Sequence, residues 1–228
     1  MFSSEEKAFF APFAAFLAFL ALTQFIGGLS SGLRVAWWWS EPRFWVFPLQ
    51  TLVCGVMVAR WWRFYDLRPP ARLGLTLLIA VIVLLLWIAP QVWFGAAPRV
   101  KDGFDPTFFG TSGPAYWTTV ILRFIRLVIV VPLVEEIFWR GFLLRFFISQ
   151  PFTDVPIGTF SWRSFAIVTV GFCLIHQPSD WPAATACGML YNLVAYRTRS
   201  LSSCVLAHAV TNLLLGLWIM RTGQWGFW

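Results

Sequence analysis

Ionisable side chains inside long apolar stretches are weighed first, because each costs about 2.5 to 3.5 kcal/mol to insert at bilayer depth and is a functional candidate by default. This sequence has few of them. Glu135-Glu136-Ile137-Phe138-Trp139-Arg140 puts two adjacent carboxylates and an arginine into an apolar helical stretch just after Pro132. Glu136 and Arg140 stand four residues apart, on one helix face, where a carboxylate and a guanidinium pair and lower each other's burial cost. Glu135 points about 100° away and is left to face something else. His176 closes Phe172-Cys173-Leu174-Ile175-His176, and His208 lies one turn before Asn212 in His208-Ala209-Val210-Thr211-Asn212. The chain has two histidines in all, and both fall in apolar helical stretches, which points to one shared polar cavity.

Amide hydrolysis is the chemistry such a cavity suits. A carboxylate in a low-dielectric site beside a second carboxylate gains proton affinity and can take a proton from water; Glu135 is the candidate. His176 would orient that water. A second histidine and an amide on one helical face, His208 and Asn212, would donate hydrogen bonds to the oxyanion of the tetrahedral intermediate. Taken singly, each feature has a plainer reading: an interhelix salt bridge for Glu136 and Arg140, a structural hydrogen bond for His176, and helix-to-helix glue for His208 and Asn212. Taken together, three separate helices would each need an unrelated reason. Arg123 and Arg126 share a face of an apolar stretch and are read as snorkelling to headgroups or lining the cavity mouth, with substrate contact the lesser role.

The elements that position these groups must be membrane helices. With 59% apolar and 12% charged residues in 228, and a mean hydropathy of +0.71, the chain lacks the polar surface of a water-soluble domain. Its uncharged runs are apolar all round rather than alternating, which excludes a transmembrane barrel. Spans are expected near residues 8–28, 44–60, 73–95, 116–131, 133–149, 164–178, 181–196 and 201–220. The fold class is therefore all-α, a polytopic bundle of seven or eight transmembrane helices around a buried polar cavity. The uncertain count lies at Tyr116 to Ser149, too long for a core about 30 Å thick, so it must tilt, bend or split, with Pro132 the natural breaking point. The leader Met1 to Lys7 carries Glu5 and Glu6, so the first run reads as a retained helix. Pro98 to Pro114, with Lys101, Asp102 and Asp105, reads as the one sizeable loop.

The net charge of +7 comes from basic residues between apolar runs, where they meet lipid headgroups rather than nucleic acid. Trp37, Trp38, Trp39, Trp61 and Trp62 sit at run ends as interfacial anchors. Cys54, Cys173, Cys187 and Cys204 lack paired spacing and read as core thiols. No repeat or second domain is evident, so residues 1–228 form a single integral membrane domain, with 1–114 of unassigned role and 115–220 bearing the chemistry.

Glu-Glu-x-x-x-Arg, Phe-x-x-x-His and His-x-x-x-Asn, in this order and on separate helices, resemble the signatures of the CAAX protease and bacteriocin-processing (CPBP, or Abi) family of intramembrane peptidases, which includes the Ras-converting-enzyme type. Tyr196-Arg197-Thr198-Arg199-Ser200-Leu201, ahead of the last motif, adds to the likeness. By resemblance, Glu135 and His176 activate water, Glu136 and Arg140 brace the site, and His208 with Asn212 forms the oxyanion hole. The resemblance also leaves open a metalloendopeptidase with zinc held by Glu135, His176 and His208, beside a metal-independent glutamate peptidase. It implies a membrane-anchored protein or peptide substrate in the lipid bilayer, with no nucleic-acid partner. A bacterial inner (plasma) membrane is the expected location. Two rivals stand beside this reading. One is a non-proteolytic scaffold or immunity protein that uses the cavity for binding and tolerates Glu135→Gln; the other is a proton-linked transporter, which predicts inverted repeats.

Overall fold

The computed structural model describes residues 3–101 and 103–228; the readings that touch Met1, Phe2 and Asp102 lie outside the described residues. These residues are all-helical, with no strand. Helix α1 (Ser4–Ser30) starts from a capping box in which the Ser3 hydroxyl accepts from the Glu6 N–H and the Glu6 carboxylate accepts from the Ser3 N–H. A single turn, α2 (Trp37–Ser40), carries the exposed interfacial tryptophans. Helices α3 (Arg43–Arg60) and α4 (Leu73–Trp93) follow, then the long helix α5 (Pro114–Phe146), α6 (Trp162–Leu174), α7 (Trp181–Thr198) and α8 (Leu201–Thr222). Four of them, α1, α4, α5 and α8, are long and apolar enough to cross a membrane.

Pro132 does not split the fourth and fifth expected spans. They form one helix of 33 residues, and it stays continuous because the backbone changes register instead of breaking. Residues Ile125–Val130 and Ile137–Leu143 are π-helical, flanking the α-helical turn that carries Glu135 and Glu136. The Val131 N–H reaches back five residues to the Arg126 carbonyl. The next donor in that register would serve the Leu127 carbonyl, but it is Pro132, which has no N–H. Asn212 Nδ2 on α8 fills the gap, donating to that carbonyl at 2.8 Å. The proline thus fixes where α8 docks on α5.

Helices α6, α7 and α8 surround the other faces, and α4 packs on α7 and α8. Between α7 and α8 the chain turns within two residues: Arg199 adopts a left-handed conformation (φ 52°), and the Ser200 hydroxyl caps α8 by accepting from the Ser203 N–H. Helix α1 holds α5 from the N-terminal half. Phe13 stacks on Phe138 with centroids 4.1 Å apart and meets Trp139 edge-on. A Cβ on Gly141 would stand 3.0 Å from the Phe9 ring, so the missing side chain sets the closeness of α1. Since lipid tails are as apolar as these rings, close packing rather than escape from water holds the helices together. Outside the spans, the buried Tyr65 hydroxyl donates to the Ala8 carbonyl at 2.7 Å, and burial pushes its ionisation upward, keeping it a donor. The four cysteines are free, and Cys54, Cys187 and Cys204 are buried, as core thiols should be.

The Pro132 arrangement carries a prediction. Asn212→Ala leaves a part-buried carbonyl unpaired and should lower stability by about 1 kcal/mol. In a Pro132→Ala background the new N–H supplies the missing donor, so the same change should cost measurably less. Thermal unfolding in detergent of the two single variants and the double variant reads the difference; equal costs in both backgrounds would refute the assignment.

Candidate active site

Arg140 is the largest side chain in the protein with no exposure at all. A guanidinium stays charged at any accessible pH and carries five donors, so burying it demands acceptors from several directions. Nη1 donates to Glu136 Oε1 at 3.0 Å, Nε to Asn192 Oδ1 at 3.0 Å and Nη2 to the Gly188 carbonyl at 3.0 Å. The rings of Phe172 and Tyr191 cover its faces, 5.0 and 5.4 Å from Cζ. The Asn192 amide passes the chain on to Thr169 Oγ1 at 3.2 Å. Glu136, also fully buried, accepts a second bond through the same Oε1, from His208 Nδ1 at 2.9 Å. One connected network therefore joins α5, α6, α7 and α8. The pairing of Glu136 with Arg140 follows from four-residue spacing, but Asn192, Gly188 and Thr169 carry no sequence signal that distinguishes them from ordinary helix-packing residues.

Hydrogen-bond direction sets the tautomers. A carboxylate oxygen can only accept, so His208 Nδ1 carries its proton, and in the neutral ring Nε2 is an acceptor. His176 is arranged alike: Nδ1 faces the Phe172 carbonyl at 2.8 Å, which again can only accept. Neutral His208 therefore offers an acceptor rather than the oxyanion donor expected of it, and becomes a donor at Nε2 only once its ring holds both protons. His176 also differs in placement. It sits in the turn just past the end of α6, half-buried, rather than within a helix, where its imidazole meets the edge of Trp87.

Glu135 is 7% exposed, and its carboxylate makes no hydrogen bond or salt bridge among the described residues. It faces a cavity of about 360 Å³, whose walls also include His176, His208, Asn212, Tyr191 and Arg126. The cavity thus gathers Glu135, His176, His208 and Asn212 from two helices and a turn, while Glu136 and Arg140 stand behind it. Arg123 and Arg126 also line it, and both are buried, at 5% and 6% exposure, so they do not snorkel. Arg126 is held by Gln50 of α3, which accepts from its Nε at 2.7 Å and donates to the Phe16 carbonyl of α1 at 2.7 Å. Gln50, inside an unremarkable apolar run, gives no hint of this role in the sequence.

Whether zinc fits was tested on the donors. Among the described residues, no group of three or more His, Cys, Asp and Glu side chains is placed to hold a metal ion. The set Glu135, His176 and His208 is therefore not assembled as metal ligands, the metalloendopeptidase reading loses its support, and no step is routed through a metal.

Fold and site together define a helical membrane protein with a buried cavity walled by carboxylate, imidazole, amide and guanidinium groups. Residues 117–214 match the sequence model of a protease family, type II CAAX prenyl endopeptidase Rce1-like, and the match supports a likeness of this segment to the CPBP/Rce1 type. No curated protein and no solved structure matches the chain.

Removing one side of the buried pair should be costly, because the remaining charge is left without compensation. Arg140→Leu is expected to destabilise the protein by about 3 to 5 kcal/mol, whereas Glu136→Leu combined with Arg140→Leu should cost less than the two single changes added together. Unfolding midpoints in detergent, followed by tryptophan fluorescence, measure both; additive losses would count against a coupled pair.

Proposed function

We propose that the protein is an intramembrane endopeptidase that hydrolyses a peptide bond of a membrane-anchored protein or peptide. The observation that carries this reading is the match of residues 117–214 to a protease family, because that segment contains every one of the cavity-facing groups Glu135, His176, His208 and Asn212. Residues 1–114 then serve as a scaffold around the 115–220 core, in keeping with the grip of α1 and α3 on α5.

In this mechanism Glu135 takes a proton from a water molecule as the water oxygen adds to the scissile carbonyl carbon. His176, neutral with its proton on Nδ1, accepts the second O–H at Nε2 and so fixes the water's orientation. The negative charge that develops on the carbonyl oxygen is met by the second N–H of Asn212, whose first N–H is committed to Leu127. His208 joins once its ring is doubly protonated, with Glu136 as the counter-charge on its other side. Collapse of the intermediate breaks the C–N bond, and the proton held by Glu135 passes to the departing nitrogen. Glu136, Arg140 and Asn192 are positioning residues that act through His208 and through the docking of α7. The exposed Trp37, Trp38 and Trp39 suit anchoring at a membrane interface, and a bacterial inner membrane is the proposed setting.

Cleavage in proteoliposomes tests the proposal. Against a panel of membrane-anchored peptides, Glu135→Gln and His208→Ala should each lower the rate by about 10²- to 10⁴-fold while the far-ultraviolet circular dichroism stays that of the unaltered protein. Cleavage undiminished in Glu135→Gln would overturn the assignment. Absence of cleavage by the unaltered protein across the panel would favour a binding scaffold instead.

A further inference from the structure

Among the described residues, Arg123 is a buried cation with no counter-ion. Its side chain lies on the inner face of α5, 5% exposed, and its Nε and Nη1 have no hydrogen-bond partner among the described residues. The charged groups that act on it most are two further cations, Arg126 and Arg43. Arg126 is better provided for, by Gln50 and by attraction to Glu135. Aromatic rings of Phe104, Phe47 and Trp228 lie around the Arg123 guanidinium, 4.8, 5.4 and 5.7 Å from Cζ. They favour the cation but cannot accept its N–H bonds in the plane of the group. Both arginines border the cavity that holds Glu135 and His208. Two guanidiniums three residues apart on α5, one with unpaired nitrogens, put positive charge on the wall of the cavity that also holds the hydrolytic groups.

We propose that Arg123, seconded by Arg126, forms an anion subsite of this cavity that takes a carboxylate carried by the peptide substrate. The inference rests on the endopeptidase reading for the identity of the ligand, though not for the existence of the subsite. A planar carboxylate matches the guanidinium fork, and a charge-assisted bond in a desolvated site is worth more than its surface equivalent. The subsite gives the cavity a direction: the acidic group of the peptide is drawn toward Arg123, which carries the neighbouring backbone past Glu135. Lipid phosphate is the weaker candidate, because the rings of Phe104, Phe47 and Trp228 surround the guanidinium with apolar surface, where a phosphate costs more to desolvate than a carboxylate.

Binding separates this proposal from the reaction. With Glu135→Gln protein in nanodiscs, an N-acylated apolar hexapeptide is titrated as the free acid, as the C-terminal amide, and as the amide with one internal Asp, following tryptophan fluorescence. At least one of the two carboxylate forms should bind about tenfold tighter than the neutral amide or better. Arg123→Gln should reduce that ratio to about twofold, and Arg123→Lys, which keeps the charge without the fork, should fall between. The two carboxylate forms tell a C-terminal group from a side chain. Equal binding of all three peptides by protein with Arg123 intact overturns the subsite, whether or not Arg123→Gln folds. So does a preference that follows the anionic lipid content of the nanodisc rather than the peptide carboxylate. A carboxylate preference seen in a protein that cleaves nothing would sustain the subsite and count against the endopeptidase alone.

Discussion

The burial of Arg140 is the constraint on which the rest of the site depends. A fully enclosed guanidinium is tolerable only if its donors and its charge are all met, and here three acceptors from two helices meet it. Each of those acceptors is then fixed in turn. Asn192 must present its oxygen to Arg140, so its amide nitrogen points to Thr169 and ties α7 to α6. Glu136 must present Oε1 to Arg140, which sets the position from which His208 Nδ1 reaches it. The orientation of an imidazole on α8 is thus decided by an arginine on α5 that never faces the cavity.

Backbone irregularity does comparable positioning on the other side. A regular α-helix through residues 114–146 would not leave the Leu127 carbonyl to Asn212, because the Val131 N–H would take it. The two π-helical stretches flank the Glu135-Glu136 turn, and such insertions recur at functional sites because they free backbone groups and re-aim side chains. Pro132 makes the first of them durable, since it removes the N–H that would otherwise compete with Asn212 for the Leu127 carbonyl.

The N-terminal helices, which lie outside the family match, are built into the cavity rather than added beside it. Gln50, itself tied to the Phe16 carbonyl, holds Arg126, and Phe13 packs on the segment that follows the two carboxylates. A site of this kind is a property of six helices at once. Behind the cavity, Arg140, Asn192 and Thr169 are partnered within the protein, as membrane burial requires.

Much of this was legible in the residues themselves. Long apolar runs had to be helices because lipid offers backbone groups no partners, and four-residue spacing had to bring Glu136 to Arg140 because 3.6 residues make a turn. The same geometry sent Glu135 to another face. Sequence could not say which face met which neighbour, for that depends on side chains far apart in the chain. Asn192, Thr169 and Gln50 are indistinguishable from packing residues until Arg140 and Arg126 stand beside them. Arg123 and Arg126, long enough to snorkel by composition, turn inward because α1, α3 and α8 close over their helix. The tautomers of His176 and His208 belong to the tertiary structure as well. An isolated imidazole has no preferred nitrogen strong enough to matter, and only a carbonyl or carboxylate placed against Nδ1 chooses one.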